Sequence, residues 1–162
     1  MTWFRRAQER AQDALAPHDD PEDKPEALLG HVFDLVHEIN RSAGRMPAEA
    51  VVSARQVLDV VREVIETADE GQLDIHAIVA IRGILGDYLP TTLRTYLALD
   101  PGAVDRPRPS GRTPNQSLLE QLDALWTSAT DLLDAIRAQD ADAMLTQGSF
   151  LRTKFSGSDL DL

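Results

Sequence analysis

Residues 117–136 read SLLEQLDALWTSATDLLDAI, and the spacing of their apolar side chains decides the fold. Leu118, Leu122, Leu125, Ala129, Leu132 and Ile136 recur at alternating steps of four and three, with Leu119, Trp126 and Leu133 on the flank. An α-helix returns side chains to one face at that period, whereas a half-buried strand needs a period of two. The spacing predicts a helix capped by Asn115 or Ser117. Each large aliphatic residue fully buried along it contributes roughly 1.5–3 kcal/mol.

The same period extends upstream. After Pro25-Glu26 come Leu28, Leu29, Val32, Leu35, Val36 and Ile39, ending near Ala43-Gly44, where the glycine is expected to take the left-handed cap. Pro47 opens a helix carrying Ala50, Ala54, Val57, Val61, Val64 and Ala68. Its valines suit a strand, but their spacing is helical. Asp74 caps the next helix, whose Ile75, Ile78, Val79, Ile81, Ile84 and Leu85 cover most of its circumference and predict the most buried element. Pro90 lacks an amide hydrogen and crowds the carbonyl of Gly86, which predicts a break or kink at Leu89-Pro90 and a further short helix from Thr91 to Leu99. Downstream, Asp140 or Asp142 is expected to restart a final helix with Met144, Leu145, Phe150, Leu151 and Phe155. The expectation is an all-α fold: a compact antiparallel helical bundle of about five to six helices over residues 25–155, with an N-terminal helical arm. No repeat of solenoid period is present.

Residues 1–24 form the predicted arm and linker. Trp3, Phe4, Ala7, Ala11 and Ala14 share one helical face, while Arg5, Arg6, Glu9 and Asp13 point elsewhere. Ala16 to Lys24 holds Asp19, Asp20, Glu22 and Asp23 with Pro17 and Pro21, the composition of a solvated acidic linker. Residues 101–114 contain Pro101, Pro107, Pro109, Pro114, Gly102 and Gly111, which predict a long loop. Its Arg106, Arg108 and Arg112 make it locally basic and able to lie against acidic helices. Residues 156–162 read as a frayed acidic tail.

Charge and composition exclude several functions. The net charge of −11 repels a phosphate backbone, and an aromatic fraction of 5% offers few platforms for stacking bases, so no nucleic-acid partner is expected. Cysteine is absent, which removes disulfides, thiolate nucleophiles and thiolate metal sites. There is no run of 18 apolar residues and no signal-peptide pattern, so a cytoplasmic address is expected.

Chemical motifs are equally sparse. His31 and His37 lie six apart on different helix faces, and His18 and His76 are isolated. No Glu-x-x-His step occurs, and Glu63, Glu66 and Glu70 form a stripe beside an apolar face, the pattern of a solvated surface. Phosphate-cradling Gly-rich loops and the Gly-x-Ser-x-Gly elbow are missing. The sequence therefore predicts no catalytic, cofactor-binding or metal-binding residue. It predicts instead an interaction protein whose candidate contacts are Trp3, Phe4, Tyr88, Pro90, Tyr96, Arg106, Arg108 and Arg112. The expected partner is another protein or a second copy, with a membrane surface open to the aromatic arm.

Tyr88-Leu89-Pro90-Thr91-Thr92-Leu93, followed by Tyr96 and Leu97-Ala98-Leu99, resembles the Tyr-Leu-Pro-Thr-x-Leu signature of the XpaC-like, "chloroindolyl phosphate hydrolysis" family. The following loop, long helix and final helix resemble that family's C-terminal layout. The resemblance implies a helical accessory protein in envelope stress or toxic-anion (tellurite) resistance. It supplies no active-site residue, and the N-terminal membrane helices common in that family have no counterpart here. The family's name raises metal-dependent phosphate-ester hydrolysis as an alternative.

Overall fold

The computed structural model describes residues 20–68 and 73–156, with side chains beyond Asp140 only at Asp142 and Leu145. Trp3, Phe4 and the rest of the arm lie outside the described residues, as do His18, Glu70 and residues 157–162. The described chain is all-α. Helix α1 spans Pro25–Ser42 and α2 spans Ala48–Thr67. Helix α3 runs through an α-helical stretch Ile75–Gly83, a π-helical turn Ile84–Tyr88 and a second α-helical stretch Leu89–Leu97. Helix α4 is Pro114–Ser156, and short 3₁₀ turns occupy Pro21–Asp23, Ala43–Arg45 and Pro101–Ala103.

Four helices thus stand among the described residues where about five to six were expected, because two expected breaks do not occur. At the first, the amide of Leu89 bonds to the carbonyl of Ile84, five residues back. This wide turn shifts the hydrogen-bond register just ahead of Pro90, which becomes the second residue of the next stretch, where no donor is required of it. The backbone stays right-handed through Tyr88 (φ −64°, ψ −52°), and the helix continues without a break. At the second, Gln139, Asp140, Ala141 and Asp142 contain neither proline nor glycine. An aspartate caps a helix only where the preceding one has stopped, so α4 continues for 43 residues, about 65 Å.

Smaller expectations also fail for local reasons. Gly44 does not take the left-handed region; α1 ends instead in the right-handed 3₁₀ turn Ala43–Arg45, and Gly111 is the glycine with positive φ (80°) among the described residues. Helix α4 is capped by neither Asn115 nor Ser117. Thr113 accepts from the Gln116 amide through Oγ1 (3.2 Å), and Gln116 Oε1 accepts from the Thr113 amide (3.0 Å), a reciprocal capping box closed by Pro114 at the first helical position. Asp74 caps α3 as expected, accepting weakly from the His76 amide at 3.5 Å.

The bundle is organised around α2. Ala50, Ala54, Val57, Val61 and Val64 are all fully buried, so α2 and not α3 is the most buried helix. The start of α3 leaves Ile75 and Val79 exposed. Helix α2 packs most extensively on α4 and next on α1, while the second half of α3 packs on α4 and the π turn touches α1. The order around the bundle is therefore α1, α2, α4, α3. Neighbours α1 and α2 are antiparallel, as are α3 and α4. Helices α2 and α4 run parallel: Met46 and Pro47 line one hollow with Asn115, and Glu63 reaches Arg137 at the other end. Along α4 the buried face is Leu118, Leu122, Ala129 and Leu133, with Leu125, Leu132 and Ile136 only partly covered. A straight helix drifts about 20° per heptad, which moves the seam from Leu132 to Leu133.

A candidate helix-docking groove between α3 and α4

The antiparallel pair α3/α4 leaves a groove on its outer side. One hollow of about 400 Å³ lies between Tyr88, Thr91 and Thr92 of α3 and Gln121, Ala124, Leu125 and Ser128 of α4. A second, about 230 Å³, continues it past Thr95, Tyr96 and Leu99 to Ser117, Leu118 and Arg108. Thr92 and Gln121 line both, so the hollows form one channel. Its walls repeat at helical spacing, Tyr88, Thr92, Thr95 and Leu99 facing Ser117, Gln121, Ala124 and Ser128. Short side chains on α4 keep that wall low. From Pro114 to Ser128 the channel runs about 21 Å, four turns of helix.

Some polar groups along this channel are bonded within the chain, whereas the side chains of Thr92, Thr95, Ser117 and Gln121 make no hydrogen bond among the described residues. Ser128 Oγ donates to the Ala124 carbonyl (2.9 Å) and Thr91 Oγ1 donates to Asp87 Oδ1 (3.2 Å). An occupant that covers the channel therefore needs polar groups opposite these side chains as well as apolar contacts. Tyr88 is 58% exposed, and its ring lies over Gly83, where an added Cβ would sit 3.0 Å from Cε2. The π turn places Tyr88 one wide turn beyond that glycine, so the ring covers the helix and forms the groove's upper lip.

Three of the sequence candidates, Tyr88, Tyr96 and Arg108, meet along this channel. Tyr96 is largely buried in its floor. Its hydroxyl donates to Asn115 Oδ1 (2.6 Å), and Asn115 Nδ2 donates in turn to Asp105 Oδ1 (2.6 Å). Burial, and secondarily the Asp105 charge, hold the Tyr96 hydroxyl above its usual pKa. This chain of bonds ties the end of α3 to the loop and to the start of α4. Arg108 donates its amide to the Arg112 carbonyl (2.8 Å), closing a tight turn at Gly111. Arg112 pairs with Glu120 on α4, so part of the basic loop does lie on an acidic helix. Arg106 is exposed, and Pro90 is half-buried outside the channel.

Sequence reasoning missed a second cluster. The acidic segment before α1 is not wholly a solvated linker: Asp20 accepts from the Glu22 amide, and the 3₁₀ turn Pro21–Asp23 buries Asp23. Arg82 of α3 donates to Asp23 Oδ1 at 2.8 Å and lies 3.8 Å from both Asp20 and Glu22. The readable signal was Arg82 itself, a lone arginine in a stretch, Ile75–Gly83, that is otherwise apolar but for His76. Beside the cluster a hollow of about 580 Å³ opens between α1 and α3, lined by Glu22, His31, Asp34 and Arg82. Among the described residues no group of three or more His, Asp or Glu side chains is placed to hold a metal ion. No described helix is long and apolar enough to cross a membrane. No known family, curated protein or solved structure matches the chain.

Proposed function

We propose that this protein is a non-enzymatic interaction module whose α3/α4 groove receives an amphipathic helix. One observation carries the reading: two facing walls with three- and four-residue spacing bound a channel about four turns long. An apolar stripe at i, i+3, i+4 and i+7 fits such walls. Tyr88 at one end supplies an aromatic lip of the kind that anchors interfaces. Arg108 at the other end meets an acidic residue or the helix's carboxyl end. The resemblance around Tyr88-Leu89-Pro90-Thr91-Thr92-Leu93 supports placing this activity in envelope stress or toxic-anion resistance.

A photo-crosslinking amino acid at position 124, compared with one at exposed Val52 on α2, tests the groove in the native host. Crosslinks from 124, absent from 52, should map to an amphipathic helical segment of another protein. Equal crosslinking from both positions would defeat the proposal.

A further inference from the structure

A second hollow, of about 410 Å³, lies at one end of the bundle and draws its walls from four separate places in the chain. Arg45 and Met46 come from the turn between α1 and α2, Leu97 and Leu99 from the end of α3 and the residues after it, Val104 from the loop and Asn115 from the start of α4. We infer that this hollow binds a small apolar monocarboxylate, its hydrocarbon part against Met46, Leu97, Leu99 and Val104 and its carboxylate on the Arg45 guanidinium. The inference does not rest on the α3/α4 groove being a docking site, although Tyr96 and Leu99 line both places.

Size, lining and charge support it. The volume falls within the roughly 300–1,000 Å³ typical of small-molecule sites. At roughly 30 Å³ for each non-hydrogen atom, the share of a water molecule in the liquid, it holds about a dozen such atoms. That is the size of a free small molecule and too little for a helix or a folded partner. Most of the lining is apolar, and the polar groups on one wall are already bonded to each other. The Tyr96 hydroxyl donates to Asn115 Oδ1 (2.6 Å), and Asn115 Nδ2 donates to Asp105 Oδ1 (2.6 Å).

Among the described residues Arg45 is the sole charged residue that lines the hollow, so a single ligand charge is matched there, and that charge is negative. Arg45 Nη2 donates to the Leu97 carbonyl (2.5 Å), which holds the guanidinium between the α1–α2 turn and the end of α3. Arg62, Arg82, Arg112 and Arg137 all pair with carboxylates of the chain, whereas Arg45 makes no ion pair among the described residues. A guanidinium carries five N–H donors in a planar fork that matches a carboxylate, and the bond to Leu97 leaves most of them available. The loop's own carboxylates are engaged elsewhere: Asp100 accepts from the Gly102 amide (3.2 Å), and Asp105 from Asn115. An alkylammonium of equal length sets its charge against Arg45, and an alcohol forgoes the charge-assisted bonds.

Isothermal titration calorimetry of the full-length protein at neutral pH tests the inference with three probes that share one chain length: sodium decanoate, decanol and decyltrimethylammonium. The expected result is saturable one-to-one binding of decanoate, with the other two at least about tenfold weaker, the least that losing a charge-assisted hydrogen bond costs. Arg45→Met should weaken decanoate by a similar factor, and Val104→Phe, which fills part of the hollow, should weaken it as well. Arg106→Met, an exposed arginine of the same loop that does not line the hollow, should leave it unchanged. Circular dichroism and thermal melts establish that each variant is folded, and the comparison of probes on the unaltered chain stands whether or not Arg45→Met folds. No saturable decanoate binding, or equal binding of the three probes, would overturn the inference. So would decanoate binding that survives intact in folded Arg45→Met or Val104→Phe protein, because the ligand would then sit elsewhere.

Discussion

Replacing Arg82 should expose how unevenly its ion pair with Asp23 contributes to stability. The Asp23 side chain is only 3% exposed, and one oxygen accepts from Arg82 at 2.8 Å. Its other oxygen has no hydrogen-bond partner among the described residues. Arg82→Met removes a charge-assisted bond of roughly 1.5–3 kcal/mol and leaves a buried carboxylate without a partner. A fully buried pair broken this way loses about 3–5 kcal/mol, but Arg82 is 45% exposed and water can enter where it stood. The expected loss is about 2 kcal/mol, or about 4–8 °C in Tm for a chain of this size. Asp23→Leu removes the unpartnered oxygen together with the charge. It leaves Arg82 half in solvent with Asp20 and Glu22 nearby, and should cost less than about 1 kcal/mol. The double variant should then be more stable than Arg82→Met alone. Urea unfolding followed by far-UV circular dichroism measures all four proteins. Equal losses for the two single variants, or a double variant that sums them, would refute the reasoning.

Three further outcomes follow from the packing. Leu122 is fully buried whereas Leu125 is partly covered at the groove, so Leu122→Ala should lose about 2–5 kcal/mol and Leu125→Ala clearly less, as read by urea unfolding. Thr113→Ala deletes the oxygen that caps α4 and should lower stability by about 1 kcal/mol, with Thr113→Ser restoring most of it. Tyr96 is held protonated by burial and by Asp105, so its contribution is intact below the usual tyrosine pKa near 10 and is lost as pH rises through the higher folded value. Tyr96→Phe should lose about 0.5–1.5 kcal/mol at neutral pH and show a shallower decline above pH 10 in pH-dependent thermal melts.

Recurrence at three and four residues made the helices of this protein legible, because that period is written into the order of side chains and needs no tertiary partner. Composition likewise fixed the missing thiol chemistry and the acidic surface. The candidate groove was half visible. Tyr88, Tyr96 and Arg108 stood out as residues, but nothing local says that Tyr96 faces inward to Asn115 or that Ser117, Gln121, Ala124 and Ser128 form the opposite wall. Asp23 shows the same limit, since an acidic run reads as solvated until a distant arginine draws it inward.

The number of helices was settled by hydrogen-bond register. A proline states which donor is missing, but whether the helix breaks or widens by one residue depends on what holds the chain on either side, here buried Leu85, Leu89 and Leu93. Helix direction around the bundle was beyond the sequence for a related reason. A period of four and three says which face is apolar and nothing about which helix covers it. The parallel contact of α2 with α4 exists only once both apolar stripes have chosen the same core. The sequence by itself determined the helical faces, and the tertiary structure decided their partners, because burial is a property of two surfaces together.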